Sequence, residues 1–216
     1  MAGPRTRHAH ATETRELILT TAERLFAEHG VAAVSNRQIS EAAGQANNFA
    51  VGYHFGTKTD LVTAIVRRHA PAIEHRRMDR LRTIQSSQTL RDWLGCLVLP
   101  TTEYLASLGS PSWYARFIAQ ATTDPALRQL VIDETTASAS MGGVSEGLKR
   151  LMPVLPADVV AERSDMSRHL IVHVCAERER ALQEGTTTPR ATWEGAAIGL
   201  IDALVGLWQA PFTPTQ

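Results

Sequence analysis

Ser35-Asn36-Arg37-Gln38-Ile39-Ser40-Glu41-Ala42-Ala43-Gly44-Gln45-Ala46-Asn47-Asn48-Phe49-Ala50-Val51-Gly52-Tyr53-His54-Phe55 is the stretch whose reading decides the fold. Ser35 to Gln38 has the form of a capping box, in which the serine takes a free helical N–H and the glutamine reaches back. That predicts a short helix from about Asn36 to Ala43. Gly44 then suits a tight turn because it tolerates a positive φ. A second short helix follows over about Asn47 to Tyr53. Upstream, Leu17, Ile18, Thr21, Ala22, Leu25 and Phe26 fall on one stripe of a 3.6-residue period, and Gly30 ends that helix. Ile39 and Val51 can fill a small core from opposite sides of the turn, alongside Leu25 and Phe26. Three helices so arranged make a tri-helical helix-turn-helix, whose last helix can lie in the major groove of a duplex.

Further helix starts extend this reading along the chain. Thr57 to Asp60 and Thr89 to Asp92 place an acid three residues after a capping hydroxyl, at the positive end of the helix dipole. Ser110-Pro111, Asp124-Pro125 and Thr188-Pro189 pair a capping residue with proline at a first helical position. These predict helices from Thr57 to about Arg82 and near 89–107, 111–122, 125–150, 157–184 and 189–210, with a kink at Gly142-Gly143. No hairpin pattern accompanies them, so the expected class is all-α. The expected organisation is a flexible basic arm over 1–12 (Arg5, Arg7, His8 and His10), a helix-turn-helix domain over 13–56, and a second helical domain over 57–216.

Of 216 residues, 44% are hydrophobic and 20% charged, a globular balance with zero net charge. The charge is unevenly spread: residues 1–82 carry a net +4 and residues 83–216 a net −4. Such asymmetry fits a phosphate-facing N-terminal part. Cys96 and Cys175 lack any metal-ligand spacing and read as buried thiols in a reducing compartment. The longest apolar run, Ala196 to Trp208, has 13 residues and contains Asp202, short of the ~20 that cross a bilayer. The expectation is a cytoplasmic protein with no membrane partner.

The spacing Ala22-x-x-Leu25-Phe26-x-x-x-Gly30, then Ile39-x-x-x-Ala43-Gly44, then Tyr53-His54-Phe55-x-x-Lys58-x-x-Leu61 resembles the DNA-binding signature of the TetR family of transcriptional regulators. The resemblance covers about the first 65 residues. From Gly44 to the aromatic triplet this chain is one residue longer than the commonest family version. Asn47 and Asn48, with Gln45, stand at the start of the recognition helix, and such amides can pair bidentately with adenine. Arg37 can reach a guanine or a phosphate, and Ser35 can cap its helix and touch phosphate. Tyr53, His54 and Lys58 resemble the family's backbone contacts, with Lys58 at a helix N-terminus that also favours phosphate. Tyr53 and Phe55 fit core positions equally well.

The last helix is apolar around much of its circumference, and Gly195, Gly199, Ala203 and Gly206 add a small-residue stripe. These segments resemble the family's last two helices, which imply a homodimer interface. Trp93, Cys96, Tyr104, Trp113, Phe117 and Met141 are candidate pocket residues, although each also fits a core. With no ring of charges, the expected ligand is mainly apolar or aromatic. The resemblance implies that its binding shifts the helix starting near Thr57 and releases the DNA-binding heads. His169, His173, Cys175 and Glu177 invite a metal reading, but Cys175 faces away from His173, so no metal or cofactor is expected. With no G-x-S-x-G, P-loop, G-x-G-x-x-G or H-E-x-x-H motif, no enzyme is expected either. The expectation is therefore a ligand-responsive regulator that binds a palindromic operator in double-stranded DNA as a dimer, with repression the family's usual role. The alternative is a helical small-molecule-binding or interaction protein without specific DNA binding; Arg37, Tyr53 and Lys58 argue against it.

Overall fold

The computed structural model describes residues 4–214, and these form ten α-helices and no strand. In chain order they are α1 (Pro4–His29), α2 (Asn36–Ala42), α3 (Ala50–Phe55), α4 (Lys58–Ile84), α5 (Leu90–Leu108), α6 (Tyr114–Thr123), α7 (Arg128–Thr136), α8 (Ala139–Leu151), α9 (Ala157–Glu184) and α10 (Trp193–Gln209).

Hydroxyl caps fixed several boundaries as expected, whereas the proline signals did not. Ser35 and Gln38 make both bonds of the capping box at α2, and Thr89 accepts from the Asp92 N–H at α5. Helices do not start at Pro111, Pro125 or Pro189: α6, α7 and α10 begin at Tyr114, Arg128 and Trp193. The cap of α10 is Thr192, whose hydroxyl accepts from Gly195 N–H at 3.0 Å. At α7 the Asp124 carboxylate accepts from Ala126 N–H at 2.9 Å and closes a turn of its own first. The 125–150 helix is two helices, and the break falls at the Ser138 cap of α8 instead of at Gly142-Gly143. Residues 4–12, expected as an irregular arm, continue α1 back to Pro4, since no breaker stands between that proline and Gly30. The rest of the arm, 1–3, lies outside the described residues.

The chain folds into two compact units, one reaching to His69 and including Arg116–Thr135, the other Ala70–Ala115 with the segment from Thr136 onward. The first therefore extends beyond the 13–56 read from the sequence. Its core explains why: Phe26 of α1 stacks on Phe117 of α6 at 6.2 Å between ring centroids, and Leu61, Val62, Ile65 and Val66 of α4 are buried there. Ile18, Ala22, Ile39 and Val51 are buried as expected. Leu17 is not, at 47% exposed, and Leu25 is half-buried. The buried face of α1 is rotated toward Leu19 and Glu23, because Glu23 pairs with His69 of α4 at 2.8 Å in the interior. Gly30, at φ 84°, ends α1 with its N–H on the Phe26 carbonyl.

In the second unit α5 packs against α10 and α8, and α10 against α9. Trp93 of α5 lies directly over Gly147 of α8, which has no side chain to obstruct the ring. A buried polar row on α9 holds the chain segments around it. Arg163 donates to the Trp208 and Ala210 carbonyls at the end of α10, at 3.0 and 2.7 Å. Arg178 donates to the Arg190 and Ala191 carbonyls ahead of α10, at 2.6 and 2.8 Å. Glu179 accepts from the Ser112 hydroxyl at 2.8 Å and from the Ala115 N–H at 3.2 Å. Two of these partners, the Trp208 carbonyl and the Ala115 N–H, are backbone groups that helix ends leave open.

Candidate nucleic-acid interface

Within the first unit, α2 and α3 meet across the turn at Gly44, where φ is 65°. Ile39 and Val51 are fully buried, and the buried Ser40 hydroxyl accepts from the Val51 N–H at 3.4 Å. That contact fixes which side of α3 faces inward. The opposite side carries Asn48, Phe49, Gly52 and Tyr53, all exposed.

The eight expected DNA contacts divide into three kinds. Asn48 and Tyr53 are presented outward; Tyr53 is 83% exposed, which decides its open core reading against burial, and its ring stands edge-on to His54 at 5.0 Å. Phe55, the other half of that question, is half-buried under the Arg15 guanidinium, 4.7 Å from its ring. Arg37 is also exposed, but its Nε is held by Glu41 at 2.7 Å, and that carboxylate raises its pKa. The third kind is occupied in shaping the chain. Ser35 is committed to its cap. Gln45 turns its amide onto the Ala43 carbonyl at 3.0 Å. The Asn47 Oδ1 accepts from Phe49 N–H at 2.9 Å, and its carbonyl from Ala50 N–H at 3.0 Å. The recognition helix consequently begins at Ala50, three residues later than expected, because an Asx turn takes up the extra length.

Lys58 opens α4, and its Nζ donates to the Val31 carbonyl at 3.1 Å, tying α4 to the turn between α1 and α2. An ammonium has three donors, so the bond leaves capacity for a phosphate. Beside it, Thr57 gives its N–H and hydroxyl to Asp60, at 3.0 and 2.6 Å. Those bonds hold the Asp60 carboxyl below its ordinary range.

Phe49 went unremarked in the sequence and is 80% exposed. A signal was present: two residues from the buried Val51, it lies about 200° around a helix from the core side.

The candidate pocket residues do not converge. Trp93 is buried over Gly147, its Nε1 donating to the Ser87 carbonyl at 3.2 Å and the Arg150 guanidinium 5.3 Å from its ring. Cys96 is fully buried, and burial pushes its thiol up to about 11. Tyr104 stands edge-on to Tyr114 at 6.2 Å. Trp113 has a buried Nε1 with no hydrogen-bond partner among the described residues. Met141 lies in the first turn of α8, and Phe117 belongs to the first unit's core. A groove of about 550 Å³ opens elsewhere in the second unit, between the end of α4, α5 and α10. None of the six lines it; Ile84, Leu99, Trp193, Ile198 and Ile201 line it together with the charged Arg80, Arg91, Asp92, Glu103 and Glu194.

Of the small-residue stripe on α10, Gly195 and Gly199 lie under the Arg190 side chain, whose Nε would be 3.2 Å from a Cβ at Gly199. Ala203 is exposed, and Gly206 faces open space. The sequence reading did not single out Met166, Leu170 and Val174, which form an exposed apolar row at four-residue spacing on α9.

A first helix, two short helices and a turn, with Asn48, Phe49 and Tyr53 exposed on the outer side of the last, define a helix-turn-helix. Residues 18–65 match the family model described as "Bacterial regulatory proteins, tetR family". By this segment the chain is similar to the DNA-binding part of TetR-family regulators. It is similar to the HTH-type transcriptional repressor AcnR of Corynebacterium glutamicum, with 41% identity over 59 residues, 27% of this chain and 31% of that one. It is also similar to the probable HTH-type transcriptional regulator ArpR of Pseudomonas putida, with 36% identity over 87 residues, 40% of this chain and 39% of that one. The chain thus spans between three and four tenths of the length of these curated relatives. A TetR family transcriptional regulator PfmR from Thermus thermophilus superposes with a TM-score of 0.48 at 14% identity, over 91% of this chain and 96% of that one. No described helix is long and apolar enough to cross a membrane.

Proposed function

We propose that this chain is a transcriptional regulator that binds a palindromic operator as a homodimer and is released by a small, mainly apolar molecule. The observation that carries the DNA-binding reading is the orientation of α3. Val51 is locked inward through Ser40, so Asn48 and Tyr53 point outward on a rigid support. An exposed Asn at the start of such a helix reads adenine, and a hydroxyl one turn on positions the backbone.

The exposed apolar row on α9 and the open Ala203 and Gly206 on α10 support pairing with a second copy. Two recognition helices about 34–36 Å apart read successive major grooves, which makes the operator palindromic. For the ligand, the groove beside α5 has a volume within the usual range for small-molecule sites, and Ile84, Leu99, Trp193, Ile198 and Ile201 give it apolar wall between charged side chains that can orient a polar end of the molecule. Repression is the role that AcnR carries in its name, and the same role is proposed for this chain.

Selection of random duplex DNA on the purified protein at fixed salt tests the reading. Recovery of a palindromic consensus supports it. Recovery of nothing above background, from folded dimeric protein, overturns it in favour of an interaction protein.

A further inference from the structure

Resting on the DNA-binding reading above, we propose that Phe49 is a specificity-determining residue that reads the 5-methyl group of a thymine beside the base pair contacted by Asn48. Phe49 occupies the N-cap position of α3, at φ −95° and ψ 7°, and makes no side-chain cap bond. That position ordinarily takes Ser, Thr, Asp or Asn, because their oxygens satisfy a free helical N–H. Here the free N–H groups of the first turn are met from elsewhere: that of Ala50 by the Asn47 carbonyl at 3.0 Å and that of Val51 by the Ser40 hydroxyl at 3.4 Å. The cap position is thereby freed for a side chain that does nothing for the helix end.

The backbone beneath the ring is firmly held. The Phe49 carbonyl accepts from Tyr53 N–H at 2.9 Å, and the Asn47 carbonyl from Ala50 N–H at 3.0 Å. Ala50 and Val51, the next two residues, are buried. The phenyl therefore projects from an ordered turn, 80% exposed, with Tyr53 one helical turn on at 83%. Folding gains nothing from an aromatic ring placed in water, and Phe49 and Tyr53 expose theirs one turn apart on the side that carries Asn48. The surroundings specify what is contacted: Asn48 is the adjacent residue, and Tyr53 follows at the spacing that keeps it on the same face. Among the groups a base pair presents in the major groove, only the thymine methyl is apolar, and a phenyl can recognise it by contact alone. Phe49 accordingly reads, in each half-site, a methyl group that hydrogen-bonding residues cannot.

The test uses the operator obtained by selection, with each thymine replaced in turn by deoxyuridine, which removes only the methyl. Full-length wild-type protein loses about fourfold in affinity per half-site at one thymine position, the value of one buried methyl. Phe49→Ala, still folded by circular dichroism, binds the thymine and deoxyuridine duplexes equally at that position. It keeps its preference at the Asn48 position. Equal sensitivity of wild type and Phe49→Ala at every thymine, or no sensitivity in either, overturns the assignment. Failure of the underlying reading looks different, because then no operator is recovered at all.

Discussion

Replacing Gly147 by alanine should destabilise the second unit severely. A Cβ at Gly147 would stand 2.0 Å from Cε3 and 2.1 Å from Cζ3 of Trp93. Carbon atoms rest at about 3.5–4.0 Å, so ring and helix must separate by roughly 1.5 Å. The ring has nowhere to retreat: Trp93 is 3% exposed and bonded through Nε1 to the Ser87 carbonyl at 3.2 Å. Overpacking of this kind costs about 1–3 kcal/mol, and losing the indole bond adds about 1 kcal/mol. For a chain of 216 residues, a loss of ~2–4 kcal/mol lowers Tm by roughly 5–15 °C. Thermal unfolding followed by circular dichroism measures the loss, and near-ultraviolet ellipticity reports the tryptophan environment. An unchanged Tm with an unchanged aromatic signal would refute the packing of Trp93 on Gly147, and would restore Trp93 as a candidate pocket residue.

Lys58→Met should lower Tm by roughly 2–4 °C, because a hydrogen bond from a charged donor to the Val31 carbonyl is worth about 1 kcal/mol when half-buried. It should also flatten the salt dependence of DNA binding by about one phosphate; an unchanged slope confines Lys58 to the structural role. Glu41→Gln frees Arg37 and removes a negative charge near the duplex, so DNA affinity should rise severalfold at low salt and less at high salt; a gel-shift titration that shows no gain would count against an Arg37 contact. Burial raises Cys96 to about 11 and Cys175 to about 12, against ~8.5 for an unfolded thiol. Both folded values lie above the unfolded one, so their stabilising contribution is complete below about pH 8.5 and is lost as pH rises toward the folded values. Urea unfolding across this range should show the decline, and substituting both cysteines by alanine should flatten it.

Much of the first unit was legible because its signals are local. The Ser35-Gln38 box, the Thr57-Asp60 cap and the stop at Gly30 each depend on residues within four positions, and each stands as read. The start of α3 was misplaced because Asn47 can serve a helix or an Asx turn, and the turn also satisfies the Phe49 N–H. The Ser110-Pro111 start failed for a tertiary reason. A buried carboxylate 64 positions away, Glu179, accepts from Ala115 N–H and takes over the capping near α6. Trp93 and Phe117 were read as pocket candidates since aromatic residues at helical spacing look alike in both settings. Only the partner, Gly147 for one and Phe26 for the other, distinguishes core from pocket.

The outward placement of Asn48 in the turn ahead of α3 is measured most directly by comparing wild type and Asn48→Ala on the selected operator and its single-base variants at one salt concentration. Asn48→Ala should lose about 1–3 kcal/mol of discrimination at one base pair in each half-site and retain its preference elsewhere. Identical discrimination by both proteins at every position would contradict it.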